Sequence, residues 1–220
     1  MKRLLTILAT SLAAIPATLW AESVTSPSGR ISFDLYAASD GVPLYTVSFD
    51  GRQVIKPSAL GLQAREARLG GDVSVAAGPV SSCDSVWRPI WGEYSEVRER
   101  YNERAYTLTH KDPSLPQVSV RVRVFDDGLG FRYEIPDTPA LRYLTLTGEG
   151  TRFVLADDMT AFVIPGDYDT DERLYTTTPV SAMAANLQRP PHGEGSLIPG
   201  LAVQTPVMLK SPEGNLYVNI

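Results

Sequence analysis

Cysteine and histidine are almost missing from this chain of 220 residues, which holds one Cys and two His. A lone cysteine, Cys83, forms no internal disulfide, and two histidines by themselves build no His-rich metal site. Basic charge is also scarce. Twenty Lys and Arg face 25 Asp and Glu, a net −5 that offers no positive field for a phosphate backbone. No serine helps a hydrolase reading, since Ser58, Ser81 and Ser196 lie in no Gly-x-Ser-x-Gly setting. No long stretch carries helical spacing. Low hydrophobicity is not among the deficits: 43% apolar residues exclude an intrinsically disordered chain.

What is present begins with an export signal. Lys2 and Arg3 precede Leu4, Leu5, Ile7, Leu8, Leu12 and Ile15, and small residues lead up to Ala21. Residues 1–21 are therefore expected to be cleaved, although Leu19 fits poorly as the third residue before the cut. Pro16 and the threonines make this run short for a membrane span. Cleavage removes two bases and no acid, leaving 18 basic against 25 acidic residues, a net −7. An exported chain with one cysteine suits a bacterial periplasm or secretion better than a disulfide-stapled eukaryotic module. Cys83, after Ser81 and Ser82, reads as a small residue in a turn.

Residues 22–220 read as one domain of consecutive antiparallel strands. Ile31, Phe33 and Leu35 alternate with polar neighbours, as do Tyr45, Val47 and Phe49 before the Asp50-Gly51 turn. Val118, Val120, Val122 and Val124 face away from Ser119, Arg121 and Arg123. Past Asp126-Asp127-Gly128 the period resumes at Phe131, Tyr133 and Ile135, a hairpin signal in which glycine accepts positive φ. Gly128-x-Gly130 lacks the third glycine and the following helix of a dinucleotide loop. Shorter runs at 143–146, 153–155, 162–164, 201–203 and 207–209 extend the pattern, punctuated by 17 prolines and 17 glycines. One apolar face per strand predicts an all-β sandwich of a dozen or more strands. A further strand, Leu216 to Ile220, is still alternating where the chain stops, so the sandwich is expected to be truncated at its C-terminal end.

The densest chemistry lies between residues 87 and 103. Trp87, Trp91, Glu93, Tyr94, Tyr101, Asn102 and Glu103 combine flat rings with carboxylate and amide groups, the mixture that recognises sugar hydroxyls and C–H faces. The competing reading makes Trp87 and Trp91 core aromatics, with Arg98 and Glu103 in solvated pairs. Asp167-x-Asp169-x-Asp171-Glu172 has glutamate where a calcium-binding EF-hand needs glycine, so it reads as a solvated acidic loop. Asp157-Asp158 reads as a turn. His110 reads as a strand-end residue and His192 as a loop residue, both expected in solvent.

Ser26-Pro27-Ser28-Gly29-Arg30, Gly41 to Gly51, Ser58 to Leu62, Trp91-Gly92-Glu93, Tyr101-Asn102-Glu103 and Arg123 to Tyr133 occur in an order that resembles the N-terminal domain of glycoside hydrolase family 97. The resemblance implies a β-super-sandwich, made of two large and mainly antiparallel sheets. It implies an exported bacterial enzyme acting on α-linked glucosides or galactosides, with a catalytic (β/α)8 barrel following the sandwich. It further implies calcium in the active site of the full-length enzyme, with a glutamate ligand expected just beyond Ile220 and none bound by this chain alone. No matched position carries a catalytic role. Trp91, Glu93, Tyr101, Asn102 and Glu103 are the residues expected to face α-linked oligosaccharide or barrel. Two other readings stand beside this one: a stand-alone carbohydrate-binding module, and a non-enzymatic periplasmic interaction protein.

Overall fold

A computed structural model describes residues 22–65, 70–137, 143–187 and 196–220. The expected signal segment and His192 lie outside the described residues. The fold is all-β, and the strands are antiparallel throughout.

The first sheet runs in chain order: β1 (Val24–Thr25), β2 (Ile31–Ala37), β3 (Pro43–Phe49) and β4 (Arg52–Ala59). Alternation along β2 buries Ile31, Phe33 and Leu35 and leaves their neighbours half-buried. β3 and β4 meet through Phe49 and Arg52 across a two-residue turn. Both turn residues have positive φ, 50° at Asp50 and 76° at Gly51, the twist that a tight hairpin needs.

The second sheet holds β6 (Val73–Trp87), β7 (Val97–His110), β8 (Val118–Phe125) and β9 (Leu129–Glu134), again in order. Between these two sheets in chain order comes β5 (Leu62–Ala64), which pairs with β10 (Leu146–Glu149). The four alternate valines of β8 are fully buried, each contributing about 1.5–3 kcal/mol by leaving water. The sheets pack face to face through rings: Phe33 lies 6.0 Å from Tyr106, and Tyr45 lies 5.7 Å from Phe131. This is the sandwich that the alternation predicts.

A third group of strands orders as β12-β11-β13-β14, from β11 (Thr160–Val163), β12 (Thr176–Pro179), β13 (Met208–Lys210) and β14 (Tyr217–Asn219). The segment leading into β11 is stitched to the first sheet, where Lys56 N–H donates to Val154 O and Ala156 N–H donates to Val54 O. Among the described residues, helix is confined to a 3-10 turn at Val180–Ala182 and one α-turn, α1 (Met183–Asn186).

Several local expectations change. Cys83 is not in a turn but within β6, opposite Tyr101. β6 and β7 are the longest strands, and β6 is interrupted by a bulge between Ala77 and Val80. Beyond Tyr101, β7 has no β8 partner, so residues 97–100 and 84–87 form a two-stranded ribbon that projects from the sandwich. Tyr143 is exposed and precedes β10 rather than opening it. His110 does end a strand, but it is buried there, and its Nε2 has no partner among the described residues.

Candidate functional site

The five residues singled out from the sequence fall in three places. Trp91 and Glu93 sit in the turn of the β6–β7 ribbon, where Trp91 is 88% exposed. Trp87 and Trp91 are therefore not core aromatics. Ion pairs brace the ribbon: Arg98 to Asp84 at 2.7 Å, and Arg88 to Glu96 at 2.6 Å.

Asn102 faces the inner side. Its Nδ2 donates to Thr25 O at 2.8 Å and pins β1, while its Oδ1 accepts from Ser82 Oγ of β6 at 2.6 Å. Arg104, on the same face, donates to Ser23 O and Gly78 O and pairs with Glu22. These residues hold the entry of the chain against the long hairpin.

Tyr101 and Glu103 face outward on β7. Tyr101 packs on Phe125, with ring centres 5.1 Å apart, and the Arg123 guanidinium lies 4.5 Å over its ring. Glu103 is not a solvated partner: only 14% of its side chain is exposed. It accepts from Arg121 Nη1 at 2.8 Å and from Arg123 Nε at 2.7 Å. Arg121 continues to Glu134 at 2.7 Å, and Glu134 also accepts from Arg132. The register of β7, β8 and β9 thus assembles three arginines and two glutamates into one ladder. Arginine hydrogen bonds draw Glu103 below the ordinary carboxylate range and Glu134 down to about 2. A shallow pocket of about 210 Å³ opens over Arg121, Arg123 and Arg132, floored by Phe125, Gly130 and Phe131.

In the acidic run after β11, Asp169, Asp171 and Glu172 are exposed as the solvated reading expects, and Asp167 alone departs from it. The Asp167 side chain is fully buried. Its Oδ1 accepts from the Asp169 and Thr170 N–H groups at 3.0 and 3.3 Å. Its Oδ2 accepts from Arg173 Nη2 at 2.5 Å and Ser196 Oγ at 3.2 Å. Backbone N–H donors first, then Arg173, hold this carboxyl at about 2 despite burial. Its oxygens are committed to protein donors. Among the described residues, no three His, Cys, Asp or Glu side chains converge in a way that could hold a metal ion.

A cleft of about 440 Å³ opens between the sheets over Tyr45, Phe49, Leu129, Phe131 and Phe153 and reaches residues 216–220. Arg30, Asp126 and Asp127 join these rings in its walls. Tyr45 Oη donates to Arg152 O at 2.7 Å, and burial raises its phenol well above the usual range.

Antiparallel sheets packed face to face define a β-sandwich domain, and comparison with known proteins gives its family. The chain belongs to the glycosyl-hydrolase 97 N-terminal family, which it matches over residues 24–220. It is 27% identical over 158 residues to a probable retaining alpha-galactosidase of Streptomyces bingchenggensis (strain BCW-1), covering 71% of this chain and 23% of that protein. A glycoside hydrolase family 97 enzyme from Pseudoalteromonas sp. strain K8, solved with acarbose, superimposes with a TM-score of 0.73 at 29% identity. The match covers 87% of this chain and 27% of the enzyme. The same enzyme has been solved with panose as an E480Q form. A beta-arabinopyranosidase shares the fold at 20% identity and a TM-score of 0.72, over 90% of this chain and 30% of its own. The chain thus spans about a quarter of the length of these relatives. No helix among the described residues is long and apolar enough to cross a membrane.

Proposed function

We propose that the chain is the N-terminal scaffold of an exported bacterial hydrolase of α-linked glucosides or galactosides, packing on a catalytic (β/α)8 barrel. The family match over residues 24–220 carries this reading. The relatives supply the substrate class: one is a probable alpha-galactosidase, and another binds acarbose and panose. The basic start and short apolar run of residues 1–21 support export to the periplasm or medium.

On this reading the sandwich performs no bond cleavage by itself. Glycoside hydrolysis takes two carboxyl groups across the scissile bond, one of them kept protonated until it donates. Glu103, Glu134 and Asp167 are held the opposite way, as anions hydrogen-bonded to arginine. Calcium, which the family resemblance implies for the full-length enzyme, is assigned to another part of the longer chain. The role left to the described residues is mechanical: they present rigid surfaces to that part and wall off solvent.

The test is hydrolysis of aryl α-glucosides and α-galactosides by purified residues 22–220. No turnover is expected, and measurable turnover overturns the reading. Calorimetric titration with malto-oligosaccharides adds a second arm. Saturable binding by this chain alone identifies a carbohydrate-binding module in place of a packing scaffold.

A further inference from the structure

The register of β8 and β9 sets Gly130 directly opposite Arg123, and Arg132 opposite Arg121. Alternation puts all four positions on the outer face of the sheet, with Phe125 two residues beyond Arg123. Gly130 gives this face no side chain, and a methyl group placed there meets nothing within 4 Å. The missing side chain opens the shallow pocket of about 210 Å³ bordered by Arg121, Arg123, Arg132 and Phe125.

The arginines around this gap are unequally used. Arg121 spends Nε and Nη2 on Glu134 and Nη1 on Glu103. Arg132 gives Nε and Nη2 to Glu134. Arg123 gives only Nε to Glu103, and its Nη1 and Nη2 donate to no group among the described residues. Its guanidinium is nevertheless fixed, gripped by Glu103 and lying 4.5 Å over the Tyr101 ring. A donor pair held in this way gives up little freedom on taking a ligand. Three guanidinium groups against two carboxylates leave the ladder one positive charge in excess, which suits a monoanion. A dianion meets repulsion from Glu103 and Glu134. A planar carboxylate matches the open N–H pair of Arg123, and the Phe125 ring offers an apolar face to the body that carries it.

We propose that the gap over Gly130 is a binding site for a ring-bearing monocarboxylate, a uronate or an aryl carboxylate. Its carboxylate sits on Nη1 and Nη2 of Arg123, and its ring lies against Phe125. The inference goes beyond the scaffold reading and does not depend on it: binding of neutral malto-oligosaccharide decides that reading, and an acid is required here.

The test is an NMR titration of the purified chain at neutral pH with galacturonate, benzoate, glucose and inorganic phosphate. Saturable shifts of the Gly130 and Phe125 amides are expected with galacturonate or benzoate, and the one that binds more tightly identifies the ring. Glucose and phosphate are expected to leave both amides in place. Gly130→Val fills the gap with a residue that suits a strand, so binding is expected to vanish while the thermal midpoint holds. Arg123→Lys keeps the charge and loses the fork, and affinity is expected to fall about 10-fold. Absence of saturable shifts with both acids overturns the proposal. So does phosphate binding as tightly as the acids, which marks a plain basic patch. Undiminished binding in folded Gly130→Val, or unchanged affinity in Arg123→Lys, overturns it as well.

Discussion

Glu103 and Arg121, on adjacent strands, meet at 2.8 Å on the outer face of the long-stranded sheet, where the glutamate is held nearly out of water. The same carboxylate reaches Arg123 at 2.7 Å. Glu103 therefore neutralises two guanidinium groups that would otherwise face each other on one strand.

Glu103→Ala leaves both arginines without their shared acceptor. A loss of about 1–3 kcal/mol is expected, a fall of several degrees in the thermal midpoint for a domain of this size. Glu103→Gln keeps an acceptor and should lose less. A midpoint that does not move in thermal unfolding contradicts the ladder's structural role.

Acid should weaken the fold in a defined window. Asp167 and Glu134 are held at about 2, below their ordinary values of 3.8 and 4.5. A carboxyl depressed in the folded state stabilises it above its unfolded value and loses that contribution as pH falls through the folded value. Stability measured by urea unfolding should therefore decline between the ordinary carboxylate range and pH of about 2. Asp167→Asn should be less stable at neutral pH and show a shallower decline. An unchanged slope in that variant shows that Asp167 is not a contributor.

The Asp50-Gly51 turn needs left-handed backbone at both positions. A methyl group at position 51 meets nothing nearby, so Gly51→Ala isolates the conformational cost. About 1–2 kcal/mol of destabilisation is expected by denaturant titration. A neutral result would mean that the hairpin accommodates another turn type.

Trp91 offers a contrast. Trp91→Ala should change stability by less than about 0.5 kcal/mol, since the ring packs on nothing that folding buries. Leu108→Ala, at a fully buried position in β7, should cost about 2–5 kcal/mol. Comparable losses in the two variants, measured side by side, would refute the exposure of the ribbon tip.

The contrast between strands shows what alternation can and cannot announce. β2 and β8 were legible because one face is apolar and the other wet. β6 and β7 were not, because their ribbon is solvated on both faces, and Ala76-Ala77-Gly78-Pro79 and Ser81-Ser82-Cys83-Asp84-Ser85 carry little strand preference. Residues 87–103 consequently read as one chemical cluster, although the ribbon separates Trp91 from Glu103 and the pleat turns Asn102 away from both Tyr101 and Glu103. The Glu103–Arg121–Glu134 ladder depends on a register spanning three strands, which sequence spacing does not encode. Asp167 looked like one acid among several. Its burial accompanies Ser196 and Leu197 pairing back against it, a contact made far along the chain.

The bulge in β6 has a consequence for how the protein behaves among its own copies. β6 is the rim of its sheet, a place where bare amide groups invite a neighbouring molecule to add a strand. Pro79 offers no N–H there, and the Gly78 carbonyl is already taken by Arg104 at 2.6 Å. The rim is thus interrupted at the bulge, which disfavours addition of a strand from a second copy at that point.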